Sequence, residues 1–284
     1  MHKGAVVNTD DDRSFLARHE FLIRRIHSLT GLVPVGAYML VHMLVNLTVL
    51  PTIGGPGMYQ KLVYQIHGLG GLLPFVEWGF IFGPILFHGV IGLIIVRSGL
   101  SNTGSYPYPA NIRYSLQRIT GILAFAFIGY HVFHMHGWFH FDAWRAGVLE
   151  PLAGAQFKPF SAASTLSLAM RGFWIPAIYF VGLVTCTFHL VNGLWTIGIT
   201  WGVWTSPKAQ KGAAYVCGMF GVFAGVVAAG AWLGSLTIDR VAAQRAEDRM
   251  FQHKIASGEI SEFEAIHKRA DGQLSSDGSA APHP

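Results

Sequence analysis

Four histidines, His42, His88, His131 and His189, stand in stretches that hold no charged residue. An ionisable side chain in an apolar run is costly to bury, so each is by default a candidate for chemistry. Neutral imidazole is a common axial ligand of haem iron, and two of them fill both axial positions, which leaves electron transfer as the function of the metal. Any one of the four alone reads equally well as a core histidine bonded to a neighbouring helix. Four on four successive apolar stretches are harder to dismiss and point to ligands.

The surroundings repeat. Residues 87–93 read FHGVIGL and residues 188–194 read FHLVNGL, so His88 and Gly92 match His189 and Gly193. Residues i and i+4 share a helix face, and a glycine there leaves space where a flat macrocycle can approach the backbone. Packing of membrane helices through small residues is the alternative. RRIHSLTG at residues 24–31 and LQRITG at residues 116–121 each end ten or eleven residues before a deep histidine, His42 and His131 respectively. The chain thus reads as two helix pairs and an unpaired fifth helix.

The elements that carry these histidines follow from charge. Only 12% of the 284 residues are charged, while 51% are apolar and 13% aromatic, a composition that excludes an ordinary water-soluble enzyme. Asp, Glu, Lys and Arg are missing from residues 26–60, 78–96, 119–141, 172–207 and 212–238. Each stretch can hold the roughly 20 residues that cross a hydrocarbon layer of about 30 Å, and a helix satisfies its own backbone there. The fold class expected is an all-α membrane protein: residues 1–23 as an N-terminal segment, 24–238 as a five-helix transmembrane domain binding two haems b, and 239–284 as a polar tail. A short helix is expected at 239–254, with the remainder of the tail disordered.

Lys and Arg number about ten in the segments on the N-terminal side of the bundle and about four in the opposite loops, so the N-terminus is expected in the cytoplasm. Trp78, Trp138, Trp174 and Trp232 then fall at outer ends and Trp201 and Trp204 at an inner end, where aromatic belts sit. The first stretch follows a charged segment, is too long for a signal core and lacks a small-residue cleavage site, so it is expected to stay in the protein. Cys186 and Cys217 lie within expected spans and offer no disulfide framework, zinc ribbon or C-x-x-C-H motif. Topology accounts for the net charge of +5 without nucleic acid.

Depth ranks the histidine pairs. At about 1.5 Å per residue, His42 and His131 lie about 27 and 20 Å from the cytoplasmic starts of their helices, and His88 and His189 about 14 and 18 Å from the same side. Matching depths favours His42 with His131 and His88 with His189, by a margin that helix tilt could erase.

At these motifs the chain closely resembles the cytochrome b membrane-anchor subunits of succinate dehydrogenase, in the five-helix, two-haem class related to fumarate reductase anchors. The similarity runs from residue 21 to 236. It is carried by RRIHSLTG followed by PVG and LVHMLVN, by GPILFHGVIGL, by LQRITG followed by GYHVFH, and by FHLVNGLWTIGITWGVWTSP. The resemblance implies that His42 and His131 hold an outer haem and His88 and His189 an inner one. It also implies a complex in the cell inner membrane, where a flavoprotein oxidises succinate and an iron-sulfur subunit relays electrons to this anchor. The anchor would pass them to a quinone, menaquinone in this class. FAD and the clusters belong to those partners, since the chain has no dinucleotide-binding loop and no cysteine run. A homo-oligomer of the complex is a further expectation.

Other positions carry weaker signals. Arg25, His27, Ser28 and Arg118 lie at cytoplasmic helix starts, where they could meet haem propionates, or where the arginines only anchor topology. Glu77, with His67 and Tyr64 in the preceding loop, are quinone candidates by position alone. No Asp or Glu lies within a charge-free span, so no carboxylate relay crosses the membrane. The crowding of His131, His134, His136 and His140 suggests a second reading, a histidine-rich non-haem iron enzyme of the desaturase or hydroxylase kind. Its weakness is that such centres need several donors converging at one depth. A transporter would show broken helices and charged pathway residues, which are not evident in the sequence.

Overall fold

The computed structural model describes residues 18–98, 103–261 and 268–270, and most of the 1–23 segment and part of the tail lie outside them. Every regular element among the described residues is helical. Five helices are long and apolar enough to cross a membrane: α1 (Glu20–Leu47), α3 (Gly70–Arg97), α4 (Pro109–Met135), α6 (Trp174–Thr200) and α7 (Pro207–Leu236). Three shorter ones, α2 (Gly55–His67), α5 (Ala162–Ala169) and α8 (Arg240–Ala256), gather at the end of the bundle far from Glu20.

Helix starts follow local chemistry. Pro109 and Pro207 open α4 and α7 at a position where the missing N–H costs nothing, each after an extended residue. Ser206 Oγ accepts from Ala209 N at 3.2 Å, and Asp239 Oδ1 accepts from Val241 N and Ala242 N at 3.0 and 3.1 Å to cap α8. α1 is continuous but opens into a wide π-type turn over Gly31–Gly36, which accommodates Pro34 and its absent donor. A similar turn spans Glu77–Phe82 in α3.

The five long helices close into a ring. α1 packs against α3 and α7, α6 against α4 and α7, and α3 against α4. Each faces outward with apolar side chains such as Phe80, Val181 and Val226, which are exposed. That pattern suits lipid rather than water, where no such continuous surface would be stable.

The densest packing lies at the far end, where Val49, Tyr59, Val63, Met135, Ala162, Leu166 and Tyr179 form one buried cluster. The tail participates in this cap. Glu247 is fully buried, and its carboxylate accepts from Ser164 N at 2.8 Å and Ser164 Oγ at 2.6 Å at the start of α5. Arg269 is buried against Phe251, with its guanidinium 3.8 Å from the ring centre and paired with Asp248. The sequence alone shows a polar tail; the structure shows its Glu247 answering a backbone donor of α5, 83 residues away. Glu247→Ala should release this contact at a cost of about 2 kcal/mol, because Ser164 N loses a charged acceptor in a buried place. The expected readout is faster proteolytic cleavage within α8 with the spanning helices intact; unchanged cleavage would remove Glu247 as the clasp.

Candidate functional site

The expected histidine pairs meet. The ring centres of His88 (α3) and His189 (α6) are 6.1 Å apart with planes at 79°, and those of His42 (α1) and His131 (α4) are 5.7 Å apart at 75°. A metal–imidazole bond of about 2 Å on each side would set the centres of two opposed rings about 6 Å apart, so the spacing of each pair suits two imidazoles that would hold one metal between them. His27 is the contrasting case. Its ring stacks on His88 at 4.0 Å and 8°, which leaves no room for a metal between them.

The His88 and His189 pair is organised by a pattern that the sequence repeats without explaining. His88 Nδ1 lies 2.8 Å from the carbonyl oxygen of His27, and His189 Nδ1 lies 3.1 Å from that of Gln117. A carbonyl inside a helix is normally screened by the side chain four residues on, and here those residues are Gly31 and Gly121. A Cβ at Gly31 would collide with Cε1 and Nδ1 of His88, and one at Gly121 would stand 2.8 Å from His189 Cε1. RRIHSLTG and LQRITG are therefore docking motifs for the histidines His88 and His189 of other helices. With Nδ1 donating to a carbonyl, Nε2 carries the lone pair and is the atom available to iron.

Gly92 and Gly193 each stand close to a group of a neighbouring helix. A Cβ at Gly92 would meet His27 at 3.2 Å and one at Gly193 would meet Gln117 Nε2 at 3.3 Å, so each makes room for the neighbouring docking helix. Both also line a cavity of about 750 Å³ that contains His88 and His189 but neither His42 nor His131.

Arg25, His27, Ser28 and Arg118 line the same cavity. Arg25 Nε and His27 Nδ1 are buried there without a hydrogen-bond partner, so an anionic group would satisfy donors that the protein leaves open. Arg118 donates to the carbonyl of Ile95 at 3.1 Å, and Trp201 Nε1 donates to Ser28 Oγ at 3.2 Å. Sequence reasoning missed Arg113, Gln117 and Asn192. Arg113 Nε donates to Asn192 Oδ1 at 2.9 Å, Asn192 Nδ2 to Gln117 Oε1 at 2.8 Å, and Gln117 Nε2 to the carbonyl of His189 at 3.2 Å. The guanidinium of Arg113 also lies 3.8 Å over Trp195. The hint in the sequence was an arginine four residues before the glutamine of LQRITG, on the same helix face.

Around the second pair, His131 Nδ1 is 3.3 Å from Tyr179 Oη, and His42 Nε2 is 3.4 Å from Asn46 Nδ2. The Tyr38 ring stacks beside His42 at 5.6 Å. His134 is buried, with Nδ1 2.8 Å from Tyr179 Oη. His136 and His140 are exposed and contact each other. Among the described residues no three His, Cys, Asp or Glu side chains converge on a point that could hold a metal ion.

The quinone candidates lie on two helices. Tyr64 and His67 lie on α2, a helix rather than a loop. Tyr64 is buried beneath the tail with Phe160, Phe251 and Ile260, and its hydroxyl has no hydrogen-bond partner. Burial, together with Glu247 and against Arg269, holds that phenol well above its usual range, so it stays protonated. Glu77 sits half-buried on α3, within electrostatic range of Tyr38 and Lys268.

A search against protein-family models finds no match. Among curated proteins, the chain is 33% identical over 201 residues to the succinate dehydrogenase cytochrome b558 subunit of Bacillus subtilis (strain 168), covering 69% of this chain and 88% of that protein. That coverage takes in most of the relative, and five helices of spanning length accompany it. On these grounds the chain belongs to the family of succinate dehydrogenase cytochrome b subunits and is a multi-pass, all-helical membrane protein.

Proposed function

We propose that this subunit passes electrons from an iron-sulfur partner through two bis-histidine haems b to a membrane quinone, menaquinone, while a flavoprotein partner oxidises succinate. The observation that carries the reading is the pair of opposed imidazoles at about the separation one iron needs, occurring twice along the bundle. His88 and His189 would hold one haem near the N-terminal end, and His42 with His131 the other. With the arginine-rich end in the cytoplasm of a cell inner membrane, the first is the inner haem and the second the outer.

When bound, haem supplies one-electron transfer without proton uptake. The chain's own residues do the rest. Backbone carbonyls of His27 and Gln117 orient the inner ligands, Arg25 and Arg118 offer charge to propionates, and the apolar helices exclude water. Glu77 on α3 and Tyr64 and His67 on α2 remain candidates for a polar contact to quinone.

The test is a pyridine haemochrome assay on the purified complex, with identification of its co-purifying chains. Two haems b per chain with a flavoprotein and an iron-sulfur protein are expected. Iron without porphyrin would overturn the reading in favour of a non-haem centre.

A further inference from the structure

We propose that Tyr179 is a positioning residue for the outer haem: its hydroxyl, backed by His134, locks the tautomer of His131 and holds that haem's reduction potential low. The proposal rests on His131 being a haem ligand. Three of the four candidate ligands turn Nδ1 to a protein group, and those groups differ. His88 and His189 turn Nδ1 to backbone carbonyls, which no side-chain change can delete. His131 Nδ1 instead lies 3.3 Å from Tyr179 Oη, and the same oxygen is 2.8 Å from His134 Nδ1. Tyr179 and His134 are 7% and 5% exposed, so water does not substitute for either bond.

Proton counting gives one arrangement. An imidazole that binds metal through Nε2 keeps its proton on Nδ1 and donates it, so Tyr179 Oη is the acceptor. The phenol has a single proton, which then goes to His134 Nδ1, and His134 carries its own proton on Nε2. Neighbouring rings fix this row. Tyr130 stacks on His134 at 5.5 Å and 7°, and Phe127 meets Tyr179 edge-on at 5.4 Å and 89°. Donation from Nδ1 makes the ligand more electron-rich and stabilises the oxidised iron, and a phenol that itself donates is a better acceptor.

Redox titration of the intact complex, following each haem by its optical and electron paramagnetic resonance signals, tests the idea. Tyr179→Phe should raise the reduced-to-oxidised ratio of the outer haem about tenfold at fixed potential, equivalent to about 59 mV for one electron, and leave the inner haem where it was. His134→Leu should shift the outer haem in the same direction by less, and His134→Gln, which keeps an acceptor, should restore it. A Tyr179→Phe complex with both haems and unchanged potentials, or with both shifted alike, overturns the proposal. If that variant does not retain the outer haem, His134→Leu decides, and no shift there overturns it. His131→Ala separates the two levels of the argument: retention of both haems in that variant sinks the ligand assignment itself.

Discussion

Alanine at His88 or at His189 is expected to abolish one and the same low-spin haem signal, leaving the second haem in place, and alanine at His42 or His131 the reverse. The reason is geometric. His88 and His189 face each other at 6.1 Å, and a haem that both would hold would lose part of its hold on the protein with either one. This pair lines a cavity with room for a large ligand. His27 cannot replace His88, because its ring lies against the face of the imidazole it would have to succeed and not opposite His189. Reduced-minus-oxidised spectra of membranes from the four variants decide the matter. Loss of a common haem in the His42 and His88 variants would contradict the pairing.

Alanine at Gly31 should be nearly as damaging as loss of the ligand, although it adds a single methyl group to a residue that touches no iron. Its Cβ would occupy the place of the His88 ring. Either the imidazole swings away from the His27 carbonyl or helices α1 and α3 separate, and both outcomes misplace Nε2. Inner-haem occupancy is expected to fall about tenfold or more, by the scale of outer-sphere losses at metal sites. Gly121→Ala should act in the same way on His189 but more mildly, since its Cβ would stand 2.8 Å from Cε1 and the ring has a shorter distance to move. Haem content per chain, measured beside the amount of assembled subunit, separates this from misfolding. A Gly31→Ala protein with full inner haem would show that the close approach is incidental.

The spanning helices and the four histidines were legible because membrane cost acts residue by residue. A charge-free run of sufficient length and a lone imidazole within it are both visible without knowing any contact. Depth along the helix even ranked the pairs that the rings form. Gly31 and Gly121 were also in view, as the ends of RRIHSLTG and LQRITG, yet their purpose was not. A glycine that uncovers a carbonyl matters only when another helix brings a donor to it, and that donor is 57 residues away from Gly31 in one case and 68 from Gly121 in the other. Gly92 and Gly193 drew attention through the same local rule, and their contacts with His27 and Gln117 were equally out of view.

Tyr179 and Glu247 mark where reading from sequence stops. Tyr179 stands among ordinary span residues and is distinguished only by the two imidazoles that α4 places at its hydroxyl. Glu247 belongs to a helix of low apolar content that would be soluble alone, and its burial exists because Ser164 presents two donors to it. By itself, then, the sequence determined the solvent of this protein, the number of its spans and the lone histidines within them, since those depend on composition and period. Tertiary structure decided which donors face which acceptors, because hydrogen bonds and close approaches between helices depend on rotation and register that a single chain's pattern does not encode.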